Sequence, residues 1–331
     1  PNYGGGTAAT GTGYSTAEML GRGLVDAEVL RSLRDGAISV PTDPAPSMTQ
    51  TPTPVAAFHP PKPRLFHRMT ASARALPDFL ILGAQKAGTT SLHRYLELHP
   101  AMLAPSVKEV HFFDVQWWRG QRFYRAHFPT ALALLARRLR CGHRAITGEA
   151  SPYYLAHPQV PHRVRSTSPE IQMIVILRDP VDRAHSHYLH NRRIGAEDCA
   201  TFAEALEREP ERLAGEIERI KADDRYESFA HRHHSYVLRG HYATQLRAWF
   251  DVFPREQLLI LETDALDRDP AAVYRRVLDF LQLPPWEPPA FARHNTAGQG
   301  APLEAEMRAR LADRFEPHNR ALFELLGHEF A

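Results

Sequence analysis

The sequence predicts an α/β domain of three layers, with a mostly parallel central sheet and helices on both faces. Three short apolar runs carry that expectation: residues 79–82, 173–177 and 258–261. Each has strand length and is followed by a turn and a helical stretch. Continuous apolar strands that alternate with helices fit a parallel sheet buried on both sides.

The first run leads through a loop with two glycines into a helix over 90–98, which His99-Pro100 stops. The second is followed by Arg178-Asp179-Pro180 and a polar helix over 181–193. The third precedes an Asp-rich turn and a helix over 270–281. Between the second and third runs, 202–220 and 235–253 read as mostly helical, and 196–234 is expected to form a helical cover over a cleft. No internal repeat is visible.

Residues 1–76 have another character. Their start is rich in Gly and Thr, and 17–33 can form one amphipathic helix with Leu20, Leu24, Ala27, Leu30 and Leu33 on one face. Prolines recur from 41 to 63, which forbids continuous helix and disfavours a central strand. This region reads as an arm or linker, partly disordered or left from a neighbouring domain. The folded domain is expected over 77–331.

With 43% hydrophobic and 24% charged residues, the 331-residue chain can bury a core of useful size. A formal charge of +2 suits local anion pockets rather than nucleic-acid binding. The two cysteines, Cys141 and Cys199, show neither metal-ligand spacing nor a disulfide framework, so a reducing, cytoplasmic setting is expected. Apolar runs fall far short of the ~20 residues of a membrane helix, and no secretory signal is visible. Arg/Ala-rich usage suggests a soluble bacterial enzyme.

The segment Gly83-Ala84-Gln85-Lys86-Ala87-Gly88-Thr89-Thr90-Ser91 joins strand to helix as an anion cradle. Its glycines let main-chain N–H groups approach phosphate oxygens, and the helix N-terminus adds partial positive charge. This is P-loop-like, but a nucleotide P-loop carries its lysine directly after the second glycine. Here that place holds Thr89 and the lysine is Lys86, inside the loop. An ATP-dependent P-loop kinase is therefore the weaker reading, and a bare strand-to-helix turn is the bland one.

The loop 83–90 resembles the phosphosulfate-binding loop of the sulfotransferase family that uses 3′-phosphoadenosine-5′-phosphosulfate. Lys108-Glu109-Val110-His111-Phe112-Phe113-Asp114 is similar to a segment of heparan-sulfate-type members and bacterial relatives. The block from Ile176 through Arg178-Asp179-Pro180 to Ser186 and Tyr188 resembles the family's strand and helix at the 3′-phosphate. Leu238-Arg239-Gly240-His241-Tyr242 and Asp269-Pro270 also match bacterial members. Three blocks in the family's order make a specific signal over about 77 to the C-terminus.

The resemblance implies donor contacts from Lys86, Ala87, Gly88, Thr89, Thr90, Ser91, Arg178, Ser186 and Tyr242, with adenosine 3′,5′-bisphosphate as product and no metal required. Lys86 would neutralise the leaving oxygen. By the same resemblance Glu109 is the general base, its position following a short strand, and His111, Asp114 and Glu149 meet the acceptor. His111 is the rival base. Without the family, Glu109 reads as a surface partner of Lys108 and His111 as a core histidine.

The acceptor bears a hydroxyl or amine, expected to be a glycan or oligosaccharide. The alternative is a hydroxyacyl chain on a carrier protein, or another small metabolite. The family's late 3′-phosphate loop corresponds to 294–300, which lacks basic residues here. The run His231-Arg232-His233-His234 is read as a solvated face rather than a metal site.

Overall fold

The computed structural model describes residues 63–292 and 302–329. The chain divides into units 1–51 and 52–331. The first unit, the helix expected at 17–33 and the loop 294–300 lie outside the described residues.

Among the described residues four parallel strands form the sheet: β1 (Phe79–Gly83), β2 (Gly148–Ala150), β3 (Gln172–Leu177) and β4 (Leu258–Glu262). Their spatial order is β2-β1-β3-β4. All of β1 and nearly all of β3 are buried, so both faces are covered, as the apolar runs require. The sequence did not announce β2. Its three residues, Gly-Glu-Ala, carry no apolar run.

Among the described residues the helices of eight residues or more are α1 (Thr89–Leu98), α2 (Ala131–Cys141), α3 (Val160–Thr167), α4 (Pro180–Ile194), α5 (Phe202–Leu213), α6 (Tyr242–Phe250), α7 (Pro270–Phe280) and α8 (Ala305–Leu326). Asp179 caps α4 by accepting from the Asp182 amide, and Pro180 at its first turn needs no N–H partner. Asp269 and Pro270 start α7 in the same way. The helix expected over 202–220 is broken. Gly215, at φ 73°, ends the first piece, and a second runs over Glu216–Ala222.

The main core packs around the sheet, with Leu80, Ile81, Ile174 and Ile176 at its centre. A second cluster joins α4, α5 and α8 through Val181, Tyr188, Phe202, Tyr236, Leu311 and Phe315. Strand order reverses between β1 and β3, with β2 on one side of β1 and β3 and β4 on the other. Open α/β sheets bind ligands at such a switch point, outside the carboxyl ends of the strands. The loops after β1 and β3 are the two that carry the predicted motifs.

Candidate active site

Loop 83–88 leaves β1 under tight steric control. A side chain at Gly83 would bring its Cβ within 2.9 Å of Leu155 Cβ and 3.0 Å of the Pro152 carbonyl. Gly88 sits at φ 95° and caps α1 without a side-chain acceptor. Lys86 itself is left-handed, at φ 72°, and only half-buried. The Thr263 hydroxyl, just past β4, donates to the Ala87 carbonyl at 2.9 Å and lies 3.0 Å from the Leu177 carbonyl. The loop is thereby tied to the ends of β3 and β4.

Positive charge converges on this loop. Burial pushes the Lys86 ammonium below its usual range, and the charges of Arg193, Arg178 and Lys108 push it further. Arg178 Nη1 donates to the Lys86 carbonyl at 3.1 Å. Arg239, almost wholly buried, donates to Gln85 Oε1, stands over the Tyr153 ring at 4.6 Å and leaves Nε and Nη2 without partners. Half-buried Lys86 and Arg178, a buried Arg239 with spare donors, a glycine-shaped loop and an uncapped helix start fit an anionic nucleotide tail.

Arg178 sits at the end of β3, where Tyr242 Oη donates to its carbonyl at 2.9 Å. Tyr242 is buried, so its hydroxyl supports the strand end. Ser186 is half-buried in the second turn of α4. Arg178, Asp179, Pro180, Tyr242, Thr263 and Asn319 help line a cleft of about 220 Å³.

The Glu109 segment is not preceded by a strand. It is irregular chain that turns at His111, which is left-handed at φ 51°, into the short helix Phe112–Val115. Lys108 Nζ bridges Thr90 Oγ1 in α1 at 2.8 Å and Glu109 Oε1 at 2.7 Å. His111 Nε2 faces Glu109 Oε2 at 3.3 Å, and its Nδ1 faces Asp114 Oδ2 at 2.6 Å. The imidazole thus lies between two carboxylates.

Burial alone would raise the Glu109 pKa, but the hydrogen bond from His111 and the charges of Lys108 and His111 outweigh it and hold it at about 2. Burial would depress His111, yet the charge and hydrogen bond of Asp114, with the bond to Glu109, raise it to about 9. Near neutrality the three form carboxylate, imidazolium and carboxylate. Glu109 keeps about a third of its side chain exposed, whereas His111 and Asp114 are buried.

Glu149 does not stand beside an acceptor space as expected. Its side chain is wholly buried, and both oxygens accept hydrogen bonds from the protein. The reason is its place on β2, whose side chains pack under the Glu109 segment. Asp114 and His111, also expected at the acceptor, are likewise enclosed and act on Glu109 from within.

The histidine run is another correction. His231 is buried and bonded to Tyr153 Oη at 2.7 Å, and His233 and His234 are half-buried, so the run is no solvated face. Burial holds His231 and His233 neutral, with pKa values of about 3. Among the described residues the one convergent set of metal-type ligands is Glu197, Asp198 and Cys199. Arg212 already occupies it, at 2.9 Å and 3.0 Å from the Glu197 oxygens.

Sequence reading gave no role to Arg193, His190, Gln85 or Arg239, although Gln85 and Arg239 stand within motif segments. Arg193 and His190 lie in the last turns of α4, where Arg193 bonds His190 at 3.0 Å; the charge of Arg193 bears on Lys86, and that of Lys86 bears on His190. Helical spacing offered a signal, since Ser186, His190 and Arg193 share one face.

Comparison with known proteins agrees with this geometry. The profile of the sulfotransferase domain matches residues 76–290. Heparan sulfate glucosamine 3-O-sulfotransferase 3B1 of Mus musculus is 27% identical over 311 residues, spanning 86% of this chain and 70% of that protein. Bifunctional heparan sulfate N-deacetylase/N-sulfotransferase 3 of Homo sapiens is 32% identical over 220 residues, 63% of this chain but 23% of that protein. The crystal structure of a sulfotransferase from Alicyclobacillus acidocaldarius superposes with a TM-score of 0.56 at 32% identity, covering 77% of this chain and 98% of that one. With its glycine-shaped loop after β1 and its carboxylate segment bonded to α1, the chain belongs to the sulfotransferase domain family, enzymes that transfer sulfuryl groups.

Proposed function

We propose that the enzyme moves the sulfuryl group of 3′-phosphoadenosine-5′-phosphosulfate in line onto a hydroxyl or amine of a glycan of heparan type, with Glu109 taking the acceptor's proton. The observation that carries this reading is the Lys108 bridge. It sets the one partly exposed carboxylate of the segment beside the helix that starts at the donor loop. The donor supplies an activated sulfuryl group on a nucleotide leaving group. Lys86, the α1 N-terminus, Arg178 and Ser186 would hold its phosphates, with Lys86 neutralising charge on the departing oxygen.

Of the two candidate bases, the geometry favours Glu109. An imidazolium between two carboxylates has no lone pair to give, whereas Glu109 is ionised and reachable. A carboxylate at about 2 is a weak base at rest. The acceptor hydroxyl acidifies as its oxygen bonds to sulfur, and proton transfer then becomes favourable. His111 fixes the carboxylate's direction, and Asp114 fixes the ring.

The glycan reading draws on the curated relatives, whose names specify heparan sulfate. Radiolabelled donor should transfer ³⁵S to heparosan or N-sulfated heparosan, and ATP should give no phosphoryl product. Label in a hydroxyacyl carrier protein, with none in either glycan, would replace the acceptor class.

A further inference from the structure

We propose that Glu149 is a positioning residue that grips the main chain of residues 110–113 from behind and so fixes where Glu109 points. This rests on the reading of Glu109 as the proton acceptor. Four consecutive amides of that segment donate to buried side-chain oxygens. Val110 N–H reaches Glu149 Oε2 at 3.0 Å, and His111 N–H reaches Ser151 Oγ at 3.3 Å. Phe112 and Phe113 N–H both reach Tyr154 Oη, at 2.9 Å and 3.4 Å.

Those hydroxyls in turn donate to the same carboxylate. Ser151 Oγ reaches Glu149 Oε2 at 3.0 Å, and Tyr154 Oη and Tyr124 Oη reach Oε1 at 3.0 Å and 2.7 Å. A hydroxyl has one proton. Because Ser151 and Tyr154 spend theirs on Glu149, their lone pairs are turned toward the amides. One carboxylate therefore orders the whole row of acceptors.

The row matters because of the turn it holds. His111 is left-handed without being glycine, a conformation that persists only where its surroundings impose it. That turn brings the His111 ring alongside Glu109. Glu149 can impose it because it stands on a strand: it pairs in register with Leu80 of β1, and the next amide, Ala150 N–H, donates to the Lys108 carbonyl at 3.3 Å. Gln116 Nε2 closes the segment from its other side by donating to the Val110 carbonyl at 3.0 Å.

A buried carboxylate is expensive, and apolar residues would fill the same space at lower cost. Burial raises the Glu149 pKa to about 7 even against four hydrogen bonds that lower it. All four groups of the network, Glu149, Ser151, Tyr154 and Tyr124, are wholly buried. Glu149 therefore reaches the reaction only through the main chain it holds.

The test uses Glu149→Gln, which puts an amide NH₂ among donors, with amide hydrogen exchange and transfer to N-sulfated heparosan as readouts. Exchange at 110–113 should quicken by about tenfold or more, while β1 and β3 keep wild-type protection. Turnover should fall by about tenfold to a hundredfold, with acceptor KM and affinity for adenosine 3′,5′-bisphosphate within about twofold. A raised acceptor KM at unchanged kcat would make Glu149 an acceptor contact and overturn the proposal. Loss of donor affinity and melting temperature together with turnover would make it a general stabiliser and also overturn it.

Tyr154→Phe removes the one oxygen that accepts from both Phe112 and Phe113 and keeps the carboxylate. It should show the same split at smaller size, and it decides the matter if the first variant does not fold. Wild-type exchange at Phe112 and Phe113 together with wild-type turnover in that variant would reject the proposal. Exchange needs no acceptor, so failure of wild-type transfer to the glycan would count against the functional reading and not against this one.

Discussion

Arg178 Nη1 donates to the main-chain carbonyl of Lys86 at 3.1 Å, which links the end of β3 to the loop that follows β1. One guanidinium thus shapes the loop and still presents further N–H groups to an anion. Arg178→Ala should abolish most of the thermal stabilisation that adenosine 3′,5′-bisphosphate gives the wild type. At a ligand concentration of about 100 Kd that stabilisation is about 2.7 kcal/mol. Melting curves with the bisphosphate and with ATP plus Mg²⁺ check this, and equal stabilisation of variant and wild type would remove Arg178 from the donor site.

Glu109→Gln keeps the shape of the side chain and removes its charge. Turnover should fall by about 10²- to 10⁴-fold, the usual worth of a general base. Binding of adenosine 3′,5′-bisphosphate should stay within about twofold, because Glu109 is given no donor contact. Transfer kinetics beside a bisphosphate titration separate the two, and wild-type turnover would end the assignment.

Lys86 stands among Arg178, Arg193 and Lys108, all of which disfavour its charge. An anionic donor would relieve that repulsion, so Lys86→Ala should weaken donor binding and turnover together, each by about tenfold or more. Arg193→Ala, further out on the exposed side of α4, should raise donor KM and spare kcat. Steady-state kinetics with varied donor concentration distinguish the two patterns.

The pH dependence follows from His111, whose pKa is raised in the fold to about 9. A raised folded pKa makes a contribution to stability that is complete below the unfolded value, about 6.5, and is lost as pH climbs through about 9. Wild type should therefore lose melting temperature over that window relative to His111→Gln, which lacks the titrating group. The loss corresponds to roughly 3 kcal/mol for the buried ring. Turnover should decline on the same limb, because a neutral ring can donate to only one of Glu109 and Asp114. Parallel stability curves for the two proteins would refute this.

Much of this arrangement was legible in the residues. The apolar runs at β1, β3 and β4 read as strands, and the glycine spacing at 83 and 88 marked the turn that joins β1 to α1. What escaped was built from partners far apart in the chain. β2 has too few residues to show a period, and Glu149 within it read as an acceptor ligand because nothing local reveals that Tyr124 and the Val110 amide, 25 and 39 residues earlier, meet it. The histidine run read as solvated for the same reason: Tyr153, which receives His231, lies 78 residues earlier. Arg239 and Gln85 meet across an even longer separation. Periodicity reports which face is buried and is silent on which polar groups meet inside.

The parallel pairing of β1 also sets a schedule for how the protein is made. Its Phe79 lies opposite Gly148 on one side and Gln172 on the other, partners about seventy and ninety residues downstream. Closing such long loops is entropically slow, and no local hairpin can nucleate this sheet. During synthesis the donor loop emerges early but has no frame until β3 has left the ribosome, and Thr263 joins it later still. Binding of the proposed donor therefore follows closure of the sheet, and adenosine 3′,5′-bisphosphate added during refolding should report completion of the sheet rather than its beginning.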